Sequence, residues 1–147
     1  MLEMRQSVCI LLSTLMVFCL KDLAFAGSLA DATEQELTKC LNDPDHASTA
    51  DQDECEMAAL KSYDQRMNYA YSRLLKSLPA GTANDLKAAQ RTWILYRDQE
   101  AQARSALFNV MQGTMYAPMQ SDAETTLTKD RALLLEQYLR VLRINGQ

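Results

Sequence analysis

The chain has 147 residues, a formal net charge of −4 and a pI of about 5.0. A generic nucleic-acid binder is not expected, because phosphate recognition requires a basic face of clustered lysine and arginine. The low contents of glycine (4) and proline (3) favour helices over strands.

Residues 1–26 have the organisation of a secretory signal peptide. Arg5 precedes an apolar run at residues 8–20, and the triplet AFA at residues 24–26 fits the small-x-small cleavage rule. Cleavage after this triplet leaves residues 27–147 as the mature domain, in the periplasm or outside the cell. An uncleaved membrane anchor is the alternative, although the apolar run is short for a bilayer.

Four cysteines occur in the chain, and two of them remain after the predicted cleavage. Cys9 and Cys19 leave with the signal peptide, and neither stands where lipid attachment requires a cysteine. Cys40 and Cys55 remain, and an oxidising compartment favours a disulfide between them. Such a bridge closes a loop of about 15 residues and stabilises the fold by about 3 kcal/mol. A catalytic thiolate is the alternative, and the neighbouring acids oppose its formation.

The first two helices of the mature chain are predicted from caps and periodicity. A short helix at residues 31–43 is followed by an acidic loop at residues 43–53. A second helix begins near Thr49, where Gln52 completes a capping-box pattern, and ends near residue 78. Its apolar side chains recur every three or four positions: Cys55, Ala59, Tyr63, Met67, Ala70, Tyr71, Leu74 and Leu78.

Two further long helices are predicted in the second half of the chain. The third begins at a cap at Thr82, runs to about Met111, and carries the apolar stripe Leu86, Ala89, Trp93, Tyr96, Ala103, Leu107, Val110 and Met111. A loop at residues 112–120 precedes the fourth helix, which residues 121–124 are expected to cap. The apolar face of that helix comprises Leu127, Leu134, Leu135, Tyr138, Leu139 and Leu142. The pattern predicts an all-α antiparallel bundle of three long helices plus a short N-terminal helix tied by a disulfide.

A set of polar residues surrounds the lone tryptophan. Gln90, Trp93 and Arg97 share one stripe of the third helix. Because buried charges require partners, we expect Arg97 or Arg91 to pair with Asp64 on the second helix. We interpret the whole set as a structural polar network between helices: Asp64, Asn68, Gln90, Arg91, Trp93, Arg97, Asp98, Thr128 and Arg131.

Catalytic and metal-binding alternatives have less support in the sequence. Asp64 and Asp98 are the one carboxylate pair that we would test as a glycosidase acid and base. The acidic loop lacks the glycine of a calcium-binding loop, and the lone His46 has no second histidine with which to share zinc. The three methionines near residues 111–119 are better explained as packing than as a soft-metal site. We therefore predict no catalytic residue, no metal and no cofactor.

Four motifs follow one another along the mature chain. A cysteine pair precedes D-x-x-(L/M)-N-x-x-Y-x-x-L, then Q-R-x-W-x-x-x-R-D, then L-T-x-x-R. They fall on Cys40, Cys55, Asp64, Met67, Asn68, Tyr71, Leu74, Gln90, Arg91, Trp93, Arg97, Asp98, Leu127, Thr128 and Arg131. Together they resemble the LprI-like lysozyme inhibitor domain family over about residues 40–140. Many members of that family carry a second cysteine pair, whereas the corresponding positions here are Ala101 and Ala123.

The resemblance implies a secreted or periplasmic helical domain that inhibits lysozyme. Lysozymes of host defence are strongly basic, so an acidic inhibitor would be steered toward them. We expect contact through residues 43–56 and the loop at residues 113–121, with these candidates: Asp43, Asp45, Asp51, Asp53 and Tyr116. The expected partner is lysozyme or another cationic envelope protein, with no nucleic acid and no membrane after cleavage. The alternative is a non-enzymatic envelope module without lysozyme activity.

Overall fold

The computed structural model describes residues 31–145. The predicted signal peptide and its cleavage site at residues 24–26 lie outside the described residues. Four α-helices follow one another: α1 (Ala32–Leu41), α2 (Thr49–Ser77), α3 (Ala80–Asn109) and α4 (Tyr116–Asn145), with a short 3₁₀ turn at Pro44–His46. This part of the chain contains no strand. Its one short and three long helices confirm the predicted all-α architecture. None of its helices has the length and apolarity needed to cross a membrane.

The core forms where α2 packs against α4. The predicted apolar stripe of α2 faces inward, and the side chains of Tyr63 and Ala70 are inaccessible to solvent, as are Ala132 and Leu135 on α4. Three side-chain contacts join residues that are 68, 69 and 70 positions apart: Asp53 with Ser121, Glu56 with Thr125, and Arg66 with Glu136. This nearly constant offset means that α2 and α4 run parallel, so α3 runs in the opposite direction to both.

The short helix α1 is held against α2 and α4. The Cys40–Cys55 disulfide, with its Cα atoms 5.8 Å apart, joins the end of α1 to the first turns of α2. At the other end of α1, the Tyr63 hydroxyl donates to Glu34 Oε2 at 3.3 Å, and Lys129 of α4 pairs with the same carboxylate. The predicted disulfide and the helix that it ties are therefore confirmed.

The start of α2 differs by one residue from the prediction. Ser48, not Thr49, is the N-cap residue, and Asp51 rather than Gln52 completes the capping box. The Ser48 hydroxyl oxygen accepts from the Asp51 amide at 3.1 Å, and the Asp51 carboxylate accepts from the Ser48 amide at 3.2 Å. A carboxylate is the stronger acceptor near the positive end of a helix, which favours this register.

The other two long helices begin earlier than predicted. α3 begins at Ala80, before the expected cap, and α4 begins at Tyr116 within the predicted loop. Pro118 lies in the first turn of α4, where backbone amides have no hydrogen-bond acceptor within the helix. The lack of an amide hydrogen in proline therefore costs no helical hydrogen bond there. Gly113, with a φ of +130°, supplies the chain reversal in a conformation that L side chains rarely adopt.

Helix α3 packs less closely on the bundle than its apolar stripe predicts. Its buried residues are Ala83 and Gln90, and Leu86 and Trp93 are half-buried. The rest of the predicted stripe is exposed: Ala89, Tyr96, Ala103, Leu107, Val110 and Met111. Facing α4 instead is Arg104, whose long side chain is only 13% exposed and pairs with Glu124.

Leu135 provides a direct test of the α2–α4 core. Leu135→Ala should lower the free energy of unfolding by about 2–5 kcal/mol, because its fully buried side chain leaves a cavity. Leu95→Ala is the matched control, since Leu95 is 63% exposed on α3 and should change stability by less than about 0.5 kcal/mol. Urea unfolding of both variants measures the difference. Similar losses in the two variants would contradict this assignment of the core.

Candidate functional site

The two candidate contact segments lie at the same end of the helical bundle. α2 and α4 begin there, and α1 and α3 end there. We call residues 42–56 and 110–124 the acidic end. Residues 42–56 contain no lysine or arginine but six acids: Asp43, Asp45, Asp51, Asp53, Glu54 and Glu56. The fold thus collects negative charge around the two connections that enter α2 and α4.

The acids of the 42–56 segment have different local roles. Asp43 Oδ1 accepts from the Asp45 amide at 3.0 Å and so caps the 3₁₀ turn. The Ser48 hydroxyl, followed by the Ser48 amide, holds the pKa of Asp51 below its ordinary value. Asp43, Asp45 and Glu54 are exposed and are the acids of this segment best placed to meet a partner.

Three of the predicted contact residues, Asp51, Asp53 and Tyr116, are only partly accessible. Asp53 is half-buried and accepts from the Ser121 hydroxyl, which ties the first turn of α2 to α4. Tyr116 is half-buried at the start of α4, with its ring centroid 5.8 Å from that of Phe108. These side chains help to build the acidic end, and they offer a partner only part of their surface.

Glu56 is a buried carboxyl group that the sequence analysis did not identify. It is only 5% exposed, and its Oε2 atom has no hydrogen-bond partner among the described residues. Burial raises the pKa of Glu56 above its ordinary value, and the nearby negative charge of Asp122 raises it further. The acidic end therefore contains an ionisable group whose charged form is poorly accommodated.

A second polar group, in the middle of the bundle, links three helices through Gln90. The Gln90 carbonyl oxygen accepts from Arg131 Nε at 2.9 Å, and its amide nitrogen donates to Met67 Sδ at 3.7 Å. The guanidinium groups of Arg97 and Arg131 lie over the Trp93 ring, 5.5 and 5.9 Å from its centroid. Gln90, Trp93, Arg97 and Arg131 of the predicted network are therefore brought together.

Other members of the predicted network find partners on their own helices. The expected pairing of Arg97 or Arg91 with Asp64 is wrong: Arg97 pairs with Asp98 at 2.8 Å, and Asp64 accepts from Asn68 at 2.9 Å. Arg91 is exposed. In both cases the partner lies on the same helix, one residue away for Arg97 and four residues away for Asp64.

Arg131 is a half-buried cation for which no carboxylate partner occurs within residues 31–145. Burial lowers the pKa of its guanidinium group, although Tyr138 and Tyr71 oppose that change. Its Nη2 atom has no hydrogen-bond partner in the described part of the chain, so the Gln90 oxygen and the Trp93 ring accommodate the charge. Thr128, one turn earlier on α4, is buried. The Gln90–Arg131 hydrogen bond thus connects α3 to α4.

Cys40, His46 and Cys55 bring potential metal-ligand atoms within 4.8 Å of one another, and no other such set occurs in residues 31–145. The two sulfur atoms are already joined in the disulfide, so they cannot bind a metal as thiolates. The predicted contact acids form no such set within the same residues.

Ala101 and Ala123, which occupy the positions of the second cysteine pair, are half-buried on α3 and α4. Arg104, three residues after Ala101, forms an ion pair with Glu124, which follows Ala123. The Nη2–Oε2 distance is 3.7 Å. An ion pair thus connects α3 to α4 beside the positions where a second disulfide would be expected.

Comparison with known proteins matches this chain to a protein family and to solved structures. The family described as "Lysozyme inhibitor LprI" matches residues 40–135. A crystal structure of an uncharacterized protein from Burkholderia thailandensis shares 34% sequence identity with this chain, with a TM-score of 0.69. The match covers 74% of this chain and 53% of that protein, so the chain spans about half of its relative's length. No curated protein matches.

Glu56→Gln should make stability less dependent on pH. The pKa of Glu56 is higher in the folded state than in the unfolded state, so protonated Glu56 favours folding. Its contribution to the free energy of unfolding is fully present below the unfolded-state pKa and is lost as pH rises through the folded-state pKa. At pH 8 we therefore expect the variant to be more stable than the wild type by on the order of 1 kcal/mol. At pH 4 this advantage should disappear, as thermal unfolding at the two pH values can measure.

Glu54→Gln is the matched control, because Glu54 is an exposed acid two residues away. Glu54→Gln removes one negative charge, as Glu56→Gln does, but this charge is not buried. It should therefore produce no comparable gain in stability at pH 8. An equal gain in both variants would show that the net charge of the segment, and not the burial of Glu56, determines the pH dependence.

Proposed function

Because this chain belongs to the lysozyme inhibitor LprI family, we propose that it binds and inhibits a lysozyme in the periplasm or outside the cell. The family match over residues 40–135 carries this proposal. Members of an inhibitor family act by binding, and the polar network at Gln90 supplies register between helices without a nucleophile. We therefore propose a binding protein and not an enzyme.

The acidic end is the surface that we propose for lysozyme contact. Its exposed acids, which include Asp43, Asp45 and Glu54, can raise the rate of encounter with a strongly basic protein. The opposite end of the bundle carries the opposite charge, because the last turns of α2 and α4 contain Arg73, Lys76, Arg140 and Arg143. An approaching cationic protein would consequently be oriented toward the acidic end before contact.

The mature chain should slow lysis in a turbidity assay with at least one of several purified lysozymes. The assay measures the loss of light scattering from lysozyme-sensitive cells, with and without added inhibitor. A parallel pull-down on purified peptidoglycan separates this function from the alternative envelope module. Full activity of every lysozyme, together with retention on peptidoglycan, would favour the module and contradict the proposed inhibition.

Asp45→Lys tests the role of the acidic end in encounter. The change should lower the association rate with the inhibited lysozyme by about threefold at low ionic strength and weaken the dependence of that rate on salt. Asp85→Lys makes the same change in net charge at the far end, on an exposed residue in the first turns of α3. Surface plasmon resonance at several salt concentrations measures both rates. Equal effects of the two variants would indicate a dependence on overall charge alone.

A further inference from the structure

A groove of about 580 Å³ runs between α3 and α4 beside the acidic end. Its apolar lining includes Tyr96, Leu107 and Leu127. Its acidic lining comprises Glu100, Asp122 and Asp130, all with exposed side chains. The lining thus combines large apolar side chains with three carboxylate groups, and we call this cavity the α3–α4 groove.

The α3–α4 groove exists because the second half of α3 packs only loosely on the bundle. Tyr96 remains 48% exposed and Leu107 remains 55% exposed, although both belong to the predicted apolar stripe of α3. Arg104 is the one basic residue that lines the groove, and it forms an ion pair with Glu124. Glu124 thus offsets the charge of Arg104, and the three acids of the lining keep the groove negatively charged.

Charge alone would not make a tight complex with lysozyme. Exposed acids at an interface mainly affect the association rate and the choice of partner, whereas apolar side chains in desolvated pockets supply most of the affinity. The acidic end provides the first element through Asp45 and Glu54. The α3–α4 groove provides the second, with large apolar side chains that no other part of residues 31–145 covers.

We infer that the α3–α4 groove receives an apolar side chain flanked by lysine or arginine on the surface of the bound lysozyme. The inference rests on the proposed function, which it extends by assigning the anchoring site. Basic side chains on either side of the apolar group would meet Glu100, Asp122 and Asp130. A guanidinium group could also stack on the exposed Tyr96 ring. This charge pattern distinguishes a cationic partner from a neutral or acidic one.

Leu107→Glu should increase the dissociation rate of the lysozyme complex by about tenfold, because it places a charge in the apolar part of the groove. Leu95→Glu is a closely matched control: it makes the same substitution on the same helix, at a residue that is 63% exposed and does not line the groove. Its dissociation rate should stay near that of the wild type. Circular dichroism and thermal unfolding confirm that each variant is folded.

A second pair of variants keeps the test valid if Leu107→Glu fails to fold. Tyr96→Ser removes an aromatic ring from the groove, and Tyr69→Ser removes one that is 64% exposed on α2. The first variant should weaken lysozyme binding and the second should not. Both retain the charge of the chain, so an effect of Tyr96→Ser cannot arise from altered electrostatic attraction.

The outcomes separate the inference from the proposed function. If the wild-type chain inhibits lysozyme and the Leu107→Glu and Tyr96→Ser variants bind lysozyme as tightly as the wild type, the inference is overturned and the proposed function stands. Equal losses in the groove variants and in their controls would overturn it as well. A wild-type chain that inhibits no lysozyme contradicts both. A second copy of this chain is the alternative occupant of the groove, and sedimentation of the free chain tests for it. A dimer that Leu107→Glu dissociates would assign the groove to the second copy and reject the inference.

Discussion

The parallel packing of α2 against α4 determines how charge and binding surface are distributed on this protein. The nearly constant offset between partners, from Asp53 with Ser121 to Arg66 with Glu136, keeps the starts of both helices at one end. Acidic residues are tolerated near helix N-termini, and basic residues near C-termini, because they complement the helix dipole. Two parallel helices with this sequence pattern therefore give a molecule with one acidic and one basic end.

The position of α3 follows from the same constraint and creates the binding groove. α3 must return the chain from the basic end to the acidic end, and its first half is fixed by Gln90 through contacts with Met67 and Arg131. Its second half meets α4 through Arg104, which pairs with Glu124, and through Phe108, whose ring lies beside that of Tyr116. The apolar residues nearest the acidic end consequently stay exposed, where a protein drawn there by charge can cover them.

The sequence was sufficient to predict the helical class, the disulfide and the buried face of α2. The apolar side chains on that face recur without interruption, so periodicity alone identified the α2 residues of the core. They are Cys55, Ala59, Tyr63, Met67, Ala70 and Leu74. The same reasoning was wrong for the second half of α3, because periodicity shows which residues share a face but not how far away the neighbouring helix lies. The start of α4 was predicted too late because the proline was interpreted as part of a loop rather than of the first helical turn.

Individual polar side chains were harder to predict than helices. Glu56 stands in a run of acids and resembles its exposed neighbours in composition. Its spacing of three residues from Ala59 and seven from Tyr63, both buried, is the signal that places it on the inner face of α2. Four residues of the predicted polar network do meet around Trp93, but the choice of partners could not be predicted from the spacing of residues on one helix. Arg97 pairs with Asp98 on its own helix, and Gln90 is the group that joins the helices.

Hydroxyl-radical footprinting of the lysozyme complex tests the account most directly, because several large exposed side chains report on different faces of the bundle. Lysozyme should protect Tyr96 and Leu107 from oxidation. It should not protect Tyr69 and Leu95, which are even more exposed in the free chain but lie outside the α3–α4 groove. Protection of Tyr69 and Leu95 with continued oxidation of Tyr96 and Leu107 would contradict the account.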